Sequence, residues 1–292
     1  MMKKQWLLFI PLILGFLPGC LPKPGDLLSS PVATSQEEVA ELTEALDTSN
    51  DFTVVFSEPG IVLHSNEEHY VLEIDLSQGA SVQFLHGSIT DRGSRKGAYG
   101  GHQPILTRET LEKAWDKFLK NNDNALCITN GQFFRNDDKA STGLAFPVKA
   151  NGGILTEGYA GESEYPDEQL MLIIHSDRAS IETFDLREFY SSEAGNIIGG
   201  LKPDADKGLN DETGRTFIGI KDSNWDGYAE TLLIFNSETA TQFHAAEVLR
   251  YFGASDAIML DGGGSTQLIC NGTNYISSPR KIPQTIGILR PQ

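Results

Sequence analysis

The sequence has few cysteines, few basic residues and, beyond its first twenty residues, no long hydrophobic run. Three cysteines in 292 residues are too few to build a disulfide-stabilised scaffold. Only 23 lysines and arginines stand against 40 aspartates and glutamates, which gives a formal charge of −17. Because no basic surplus exists to neutralise phosphates, the composition argues against a nucleic-acid binder. The 29 glycines show no period of three, so a collagen-like chain is excluded as well.

What the chain does contain is enough apolar material for a packed core. Hydrophobic residues make up 39% of the sequence, which excludes wholesale disorder.

The first twenty residues have the pattern of a targeting signal. A pair of lysines precedes an apolar run at residues 6–17, which is shorter than the roughly 20 residues needed to cross a bilayer. The tetrapeptide LPGC at residues 17–20 resembles the lipobox of bacterial lipoproteins. It predicts cleavage before Cys20 and lipidation of the Cys20 thiol. An ordinary secreted protein with a chance cysteine is the alternative.

We therefore divide the chain into a signal peptide at residues 1–19, a lipidated Cys20 with a flexible linker at 20–50, and a folded domain at 51–292. Prolines, serines and threonines in the second segment indicate an extended spacer. The predicted location is extracytoplasmic and membrane-anchored, in the periplasm or at the cell surface. Since so acidic a protein is repelled by anionic lipid, the lipid anchor must hold it at the membrane.

Short apolar segments between turn residues predict strands through most of the domain. These segments are 52–56, 61–65, 70–76, 82–86, 125–128, 170–175, 179–184, 215–220, 230–235 and 257–260. Apolar residues at helical spacing predict one helix that begins at Thr107 and another from about Thr239 to Phe252. Strands without regular helix alternation predict an α+β fold, with a mixed, largely antiparallel sheet core and two or three packed helices.

The strongest signal of a site is IMLDGGGS at residues 258–265. A buried strand delivers the Asp261 carboxylate to its end. Gly262, Gly263 and Gly264 carry no side chain that blocks a ligand, and glycine permits backbone N–H groups to converge on an anion. Ser265 adds a hydroxyl group. The functional interpretation is a carboxylate beside a phosphate or oxyanion cradle, and a glycine-rich hairpin turn is the alternative.

Three other residues are candidates on weaker local grounds. Asn130 follows an apolar strand, and its amide both donates and accepts, which suits orienting a sugar hydroxyl. Arg215 begins a strand and Arg280 lies near the C-terminal end. A guanidinium group matches phosphate oxygens in a bidentate manner. Seen alone, Asn130 also fits an ordinary turn, and Arg215 and Arg280 also fit solvated arginines.

Taken together, these segments resemble one family. NGQFF at 130–134, GGLKPDADKG at 199–208, RTFIGI at 215–220 and IMLDGGGS at 258–265 occur in the order found in the phosphodiester glycosidase domain family. This is the uncovering-enzyme type of domain, that of N-acetylglucosamine-1-phosphodiester α-N-acetylglucosaminidase. The resemblance extends over about residues 50–290. The family pattern usually has glycine where Gln132 stands in this sequence.

The resemblance implies a hydrolase that cleaves glycosyl-1-phosphodiesters at the anomeric carbon. With the targeting signal, we expect it to act outside the cytoplasm, and we expect no cofactor. Asp261 would act as base or nucleophile, Arg215 would clamp phosphate and Asn130 would orient the sugar. Gly262, Gly263, Gly264, Ser265 and Arg280 would complete the phosphate site. The implied substrate is a carbohydrate phosphodiester or a cell-envelope glycan. Two alternatives stay open, a non-catalytic lipoprotein that binds polysaccharide or cell-wall polymer, and a metal-dependent phosphodiesterase.

A further segment has the pattern of the first half of a calcium loop. Asp222, Asn224 and Asp226 have the required spacing, but Leu233 stands where a twelfth-position carboxylate is expected. We therefore interpret the segment as a polar hairpin turn, with calcium binding as the alternative.

Cys127 and Cys270 remain once Cys20 is lipidated. An oxidising compartment would permit a bridge between them, and two separate buried thiols are the alternative.

Overall fold

A computed structural model describes residues 52–92, 95–101, 103–137, 139–161 and 164–292. The predicted signal peptide, the lipidation of Cys20 and the linker lie outside these residues. Within them the chain is 44% strand and 14% helix, so the predicted α+β class is wrong and the fold is dominated by β-sheet. The missed strands are mostly two to four residues long, too short to show the alternation by which a strand is recognised in a sequence.

The described residues form nineteen strands in three sheets. The strands are β1 (Thr53–Glu58), β2 (Ile61–Ser65), β3 (His69–Asp75), β4 (Ser81–His86), β5 (Ile89–Asp91), β6 (Ile105–Thr107), β7 (Ala125–Asn130), β8 (Ser141–Thr142), β9 (Val148–Ala150), β10 (Gly153–Thr156), β11 (Gln169–Ile174), β12 (Ala179–Thr183), β13 (Asn196–Leu201), β14 (Thr213–Lys221), β15 (Thr231–Ala240), β16 (Asp256–Met259), β17 (Leu268–Cys270), β18 (Thr273–Ile276) and β19 (Gln284–Leu289).

All pairings between the described strands are antiparallel. The large sheet has the order β1-β2-β3-β15-β14-β16-β13-β11-β12, with β9 pairing to β13 and β10 to β9. A second sheet has the order β18-β17-β7-β19-β4, and a small third sheet has the order β5-β6-β8. The two strands that precede the predicted site motifs, β7 and β16, therefore belong to different sheets.

Three α-helices accompany the sheets in the described residues: α1 (Leu111–Asn121), α2 (Leu186–Ser191) and α3 (Gln242–Tyr251). Each long helix is preceded by a threonine whose hydroxyl accepts from a backbone N–H three residues later, Thr110 before α1 and Thr241 before α3. Both predicted helix starts are too early, because Thr107 lies in β6 and β15 extends through Ala240. Each described helix is too short or too polar to cross a bilayer.

The core lies on both faces of the large sheet, and strand β14 shows why. Ile218 belongs to the apolar cluster that also contains Leu126, Leu268 and Ile288 of the second sheet. The next residue towards the N-terminus, Phe217, belongs to the cluster formed with helix α3. Because alternate side chains of a strand point to opposite faces, a strand covered on both faces is apolar throughout. The site motifs are thus attached to rigid, doubly covered strands.

Cys127 and Cys270 form a disulfide between directly paired positions of β7 and β17. Of the two alternatives open from the sequence, the structure has the bridge. It joins the strand that leads to Asn130 with the strand that follows the glycine-rich motif.

Two histidines, the buried His69 and the half-buried His244, lie where β3, β15 and α3 meet. The rings of His69 and His244 lie 4.6 Å apart, and His69 Nδ1 lies 2.8 Å from Ser237 Oγ. Burial, with a smaller contribution from His244, lowers the pKa of His69 to about 4. Burial also lowers the pKa of His244, and Glu68 opposes that change. Both rings are therefore neutral in the folded protein near neutral pH.

This arrangement predicts that His69 destabilises the folded protein in mild acid. The unfolded chain binds a proton at His69 below about pH 6.5 and the folded chain does so only below about pH 4, so the contribution of His69 to the unfolding free energy should fall by about 3 kcal/mol across that interval. Urea unfolding of the wild type and of His69→Gln across this range measures the effect. The variant should lose that part of the pH dependence, and parallel profiles would contradict the prediction.

Candidate functional site

A pocket of about 560 Å³ lies where the chain leaves β16. Five of the residues predicted from the sequence line it, namely Asp261, Gly262, Gly263, Arg215 and Arg280. Asn130 and Ser265 are buried beside the pocket and do not line it. Gly264 lines a neighbouring cavity that shares Arg280 with the pocket. The structure thus brings the three distant site segments together.

Asp261 is the carboxylate at the centre of this arrangement. Its position follows from β16, which continues to pair with β14 up to Leu260, whose N–H donates to the Thr216 carbonyl at 2.9 Å. Burial raises the pKa of Asp261 to about 7, and this rise is opposed by hydrogen bonds from the Ser265 hydroxyl and the Gly262 N–H and by the charges of Arg280 and Lys207. A carboxyl group that exchanges its proton near neutral pH is suited to acid–base chemistry.

Asn130 holds the backbone of Asp261 in place. Its Nδ2 donates to the Asp261 carbonyl at 2.7 Å, and the next residue, Gly131, accepts from the Asp261 N–H at 3.0 Å. The Asn130 Oδ1 accepts from the Thr216 hydroxyl at 3.0 Å and from the Gln267 N–H at 3.1 Å. All polar atoms of the amide are thus engaged inside the protein. The geometry favours a positioning role over the sugar contact expected from the sequence.

A second buried amide, Asn236, extends this network and was missed by sequence reasoning. Its Nδ2 donates to the hydroxyls of Thr129 and Thr216, at 3.0 and 3.1 Å, and it is fully buried. Thr216 in turn donates to Asn130, so a chain of hydrogen bonds links β15 to the Asp261 backbone. The sequence signal that could have found it is a polar residue within the otherwise apolar strand segment LLIFN.

The glycines next to Asp261 are required by close backbone approach. A Cβ on Gly262 would lie 2.5 Å from the Gly214 carbonyl oxygen. A Cβ on Gly214 would lie 2.2 Å from the Gly263 carbonyl oxygen. Gly263 has φ of 59°, in the left-handed region that glycine adopts freely. Within the described part of the chain, the N–H groups of Gly263 and Gly264 have no protein acceptor. They remain available to a ligand.

Arg215 is engaged by the protein itself. All five of its N–H groups have acceptors, and these come from the 207–211 loop, the end of β15 and the start of α3. The acceptors are the carbonyl oxygens of Lys207, Gly208, Asp211 and Ala240 and the Oε1 of Gln242. The side chain is buried. This geometry favours a role in holding the wall of the pocket over the phosphate clamp expected from the sequence.

Of the two arginines, Arg280 is the one that remains available. Its Nη1 donates to Ser265 Oγ at 3.4 Å and its Nη2 to Asn136 Oδ1 at 3.2 Å. Among the described residues no acceptor takes its other three N–H groups. The guanidinium is half-buried, so its charge acts on the pocket with less screening than at an open surface. It is the stronger of the two arginine candidates for a phosphate ligand.

An aromatic wall, made of Phe133, Phe146, Tyr159 and Tyr165, forms another side of the pocket. The Phe146 ring lies 5.7 Å from the rings of both Phe133 and Tyr165. The Lys207 ammonium lies within 6 Å of the Phe133 and Tyr165 rings. Burial raises the pKa of Tyr159 to about 12, so its hydroxyl stays protonated. Aromatic walls with few polar groups are typical of small-molecule sites.

Sequence reasoning did not find the aromatic wall. Its members come from three separate segments. Phe133 lies within the NGQFF motif at 130–134, but that motif did not indicate a pocket wall. A further signal was the pair of tyrosines within the polar, glycine-containing stretch TEGYAGESEY at 156–165.

The calcium-like segment lies elsewhere. It forms the turn between β14 and β15, at the end of β14 opposite to Arg215. Asp222, Asp226 and Glu230 have ligand atoms within 4.8 Å of one another, while Asn224 Nδ2 donates to Asp226 and Glu230. The position in the fold agrees with the expected hairpin turn, and calcium binding stays the alternative.

The position of Asn130 leads to a test of its role. Replacing Asn130 with alanine should lower kcat by about 10- to 100-fold with little change in KM, because the amide acts through the Asp261 backbone and touches no substrate. Steady-state kinetics measure this split, and circular dichroism monitors the fold. A rise in KM at unchanged kcat would instead assign Asn130 the sugar contact expected from the sequence.

Comparison with known proteins gives a family for the part of the chain that contains the site. Residues 121–289 match the family model described as phosphodiester glycosidase, a stretch that contains Asn130, Arg215, Asp261 and Arg280. No curated protein matches the chain.

Three solved structures are similar in fold. The catalytic domain of zebrafish N-acetylglucosamine-1-phosphodiester α-N-acetylglucosaminidase, auto-inhibited by its pro-peptide, gives a TM-score of 0.51 at 16% identity, over 82% of this chain and 81% of that one. An exported protein from Burkholderia pseudomallei gives 0.49 at 13% identity, over 79% and 74%. A hypothetical protein from Synechocystis gives 0.47 at 12% identity, over 82% and 64%.

Proposed function

Because this chain belongs to the phosphodiester glycosidase family, we propose that it hydrolyses glycosyl-1-phosphodiesters at the bond between the anomeric carbon and the phosphate oxygen. The observation that carries the proposal is the carboxyl group of Asp261, which has a pKa of about 7 and shares a pocket with the available guanidinium of Arg280. The zebrafish relative is named for an N-acetylglucosamine-1-phosphodiester, which supports the same substrate class here.

In the proposed reaction, ionised Asp261 accepts a proton from water as the water oxygen bonds to the anomeric carbon. The bond from that carbon to the phosphate oxygen breaks, and its electron pair leaves with the phosphate. The products are the free sugar and a phosphate monoester. Since the second pKa of such a monoester is about 6, the leaving group departs as an anion and needs no strong general acid.

The pocket supplies matching binding groups. Arg280 and the free N–H groups of Gly263 and Gly264 would hold the phosphate and stabilise the charge that develops on it. The aromatic wall would pack on the sugar ring. Because the protein as a whole carries a formal charge of −17, an anionic substrate must be attracted by such a local positive group.

We propose that the reaction takes place outside the cytoplasm, on a lipid-anchored protein. The targeting pattern of residues 1–20 is the main support. The disulfide between Cys127 and Cys270 adds to it, because structural disulfides form and persist in oxidising compartments.

The test is a panel of sugar-1-phosphodiesters incubated with the purified protein, with products identified by proton and phosphorus NMR. We expect free sugar and a phosphate monoester. Sugar phosphate, released in a chelator-sensitive reaction, would indicate a metal-dependent phosphodiesterase instead. Unchanged compound with measurable affinity would indicate a non-catalytic glycan-binding protein.

A further inference from the structure

A groove of about 790 Å³ continues from the pocket on the side of Arg280. Arg280 and Asn136 line both cavities, and Gly264 lines the groove. None of the four residues of the aromatic wall lines it. The groove therefore extends the site from Arg280 and not from the aromatic wall.

The groove is basic. Among the described residues that line it, Arg108, Lys139, Arg280 and Lys281 are cations and Asp137 is the only carboxylate. Lys139 and Lys281 are exposed. On a chain with 40 acidic and 23 basic residues, such a cluster is opposite in sign to the surface as a whole. It provides the local positive potential that draws in an anion.

The wall of this basic groove is held in a fixed position. Arg108 donates to the carbonyl oxygens of Arg135 and Asp137, both at 2.6 Å, and forms an ion pair with the Asp137 carboxylate. Its guanidinium also lies 4.9 Å from the centre of the Phe134 ring. The 135–137 segment is thereby fixed beside Arg280, so little ordering of this wall is required when a ligand binds.

The direction of the groove identifies the part of the substrate that enters it. With a phosphate at Arg280 and the sugar against the aromatic wall, the other phosphate substituent extends away from the wall. That substituent is the leaving group of the proposed reaction. The groove beyond Arg280 therefore receives the leaving group, and its cations select for negative charge on it.

We propose that the basic groove binds a second phosphate on the leaving-group side, so that the preferred substrates are multiply phosphorylated, such as chains of phosphodiester-linked sugars. The proposal rests on the proposed function for its assignment of the two directions. The second phosphate stays on the released phosphate monoester and takes no part in the bond that breaks.

The test compares two synthetic substrates with the same sugar and the same alkyl leaving group, one ending in a hydroxyl and the other in a phosphate. We expect the wild type to prefer the phosphate-ended substrate about tenfold in kcat/KM at low salt, and less at high salt. The double variant Lys139→Gln with Lys281→Gln should lose most of this preference and keep its activity on the hydroxyl-ended substrate.

A matched control removes the same charge elsewhere. Lys113 and Lys120 are exposed on α1 and line neither cavity. The double variant Lys113→Gln with Lys120→Gln should keep the wild-type preference. Two results would overturn the proposal that the groove binds a second phosphate, and both would leave the proposed function intact. They are equal turnover of both substrates by the wild type and an unchanged preference in the Lys139 and Lys281 variant.

If the wild type hydrolyses neither substrate, the proposed function fails. A binding measurement then tests whether the groove binds anions. Calorimetry with inorganic tripolyphosphate then compares the two double variants. An affinity about tenfold lower in the Lys139 and Lys281 variant than in its control supports an anion-binding groove. Equal affinities overturn it.

Discussion

Replacing Asp261 with asparagine should lower kcat by about 10³-fold or more while the protein remains folded. The asparagine side chain has the shape of the carboxyl group and cannot take a proton from water. Its carbonyl oxygen can still accept one of the two hydrogen bonds that Ser265 and the Gly262 N–H make to the wild-type carboxylate. The measurement is kcat for a sugar-1-phosphodiester, with urea unfolding as the check on the fold.

The same variant should gain stability above neutral pH. The pKa of Asp261 is about 7 in the folded protein and its ordinary value is 3.8, so ionising it in the folded state costs as much as about 4 kcal/mol of unfolding free energy. This cost appears as the pH rises from about 3.8 to 7 and is complete above that interval. A loss of activity together with a gain of stability would mark Asp261 as a group retained for chemistry. A variant that is less stable than the wild type would contradict this interpretation.

The pH dependence of the wild type distinguishes a base from an acid. Because only ionised Asp261 accepts a proton, kcat/KM should rise with pH through about 7 and then level off. A rate that falls through the same interval would assign Asp261 the role of proton donor.

A control variant is available at the same pocket. Asp206 is exposed at the rim of the pocket, and Asp206→Asn removes one carboxylate there. This control variant should retain the wild-type profile.

The sequence allowed the centre of the site to be predicted because the signal is local. A buried strand that ends in an aspartate and three glycines, as IMLDGGGS does, determines its own geometry over a few residues. The structure accordingly has β16 leading to Asp261 and a left-handed Gly263. The resemblance to the phosphodiester glycosidase family is confirmed on the same segments.

The roles of Asn130 and Arg215 were harder to predict because both depend on partners far along the chain. The acceptors of Arg215 include the carbonyl of Ala240, 25 residues away, and Asn130 bonds to Asp261, 131 residues away. A polar residue at the end of a strand has the same local sequence whether it points into a pocket or supports the loop behind it. Only the folded arrangement distinguishes the two.

The fold class was misjudged for a related reason. The two long helices have strong 3.6-residue periodicity over ten or eleven residues, whereas strands such as β8 and β17 contain two and three residues. Pairing with distant strands stabilises these short segments, and an isolated segment of that length shows no periodicity. The two long helices were therefore found, although their starts were placed too early, and the amount of sheet was underestimated.

Replacing Arg280 with glutamine should lower kcat/KM for sugar-1-phosphodiesters by about 10²-fold or more, because it removes the arginine whose N–H groups are available to a phosphate beside Asp261. The variant should bind the phosphate group more weakly and the sugar as well as the wild type does. The inhibition constant of the phosphate monoester product should rise strongly, and that of the free sugar should change little. Lysine keeps the charge and loses the bidentate geometry. The kcat/KM of Arg280→Lys should therefore lie between those of the wild type and of Arg280→Gln.

The matched comparison is Arg215→Gln. Because the wild-type side chain satisfies four backbone carbonyl oxygens and Gln242, the variant should unfold at lower urea concentration, and both inhibition constants should change together. The two arginines line one pocket and carry the same charge, so their different hydrogen-bond partners alone predict the different outcomes. If Arg215→Gln selectively weakened binding of the phosphate product in a fully folded protein, Arg215 would be the phosphate clamp and the assignment to Arg280 would be wrong.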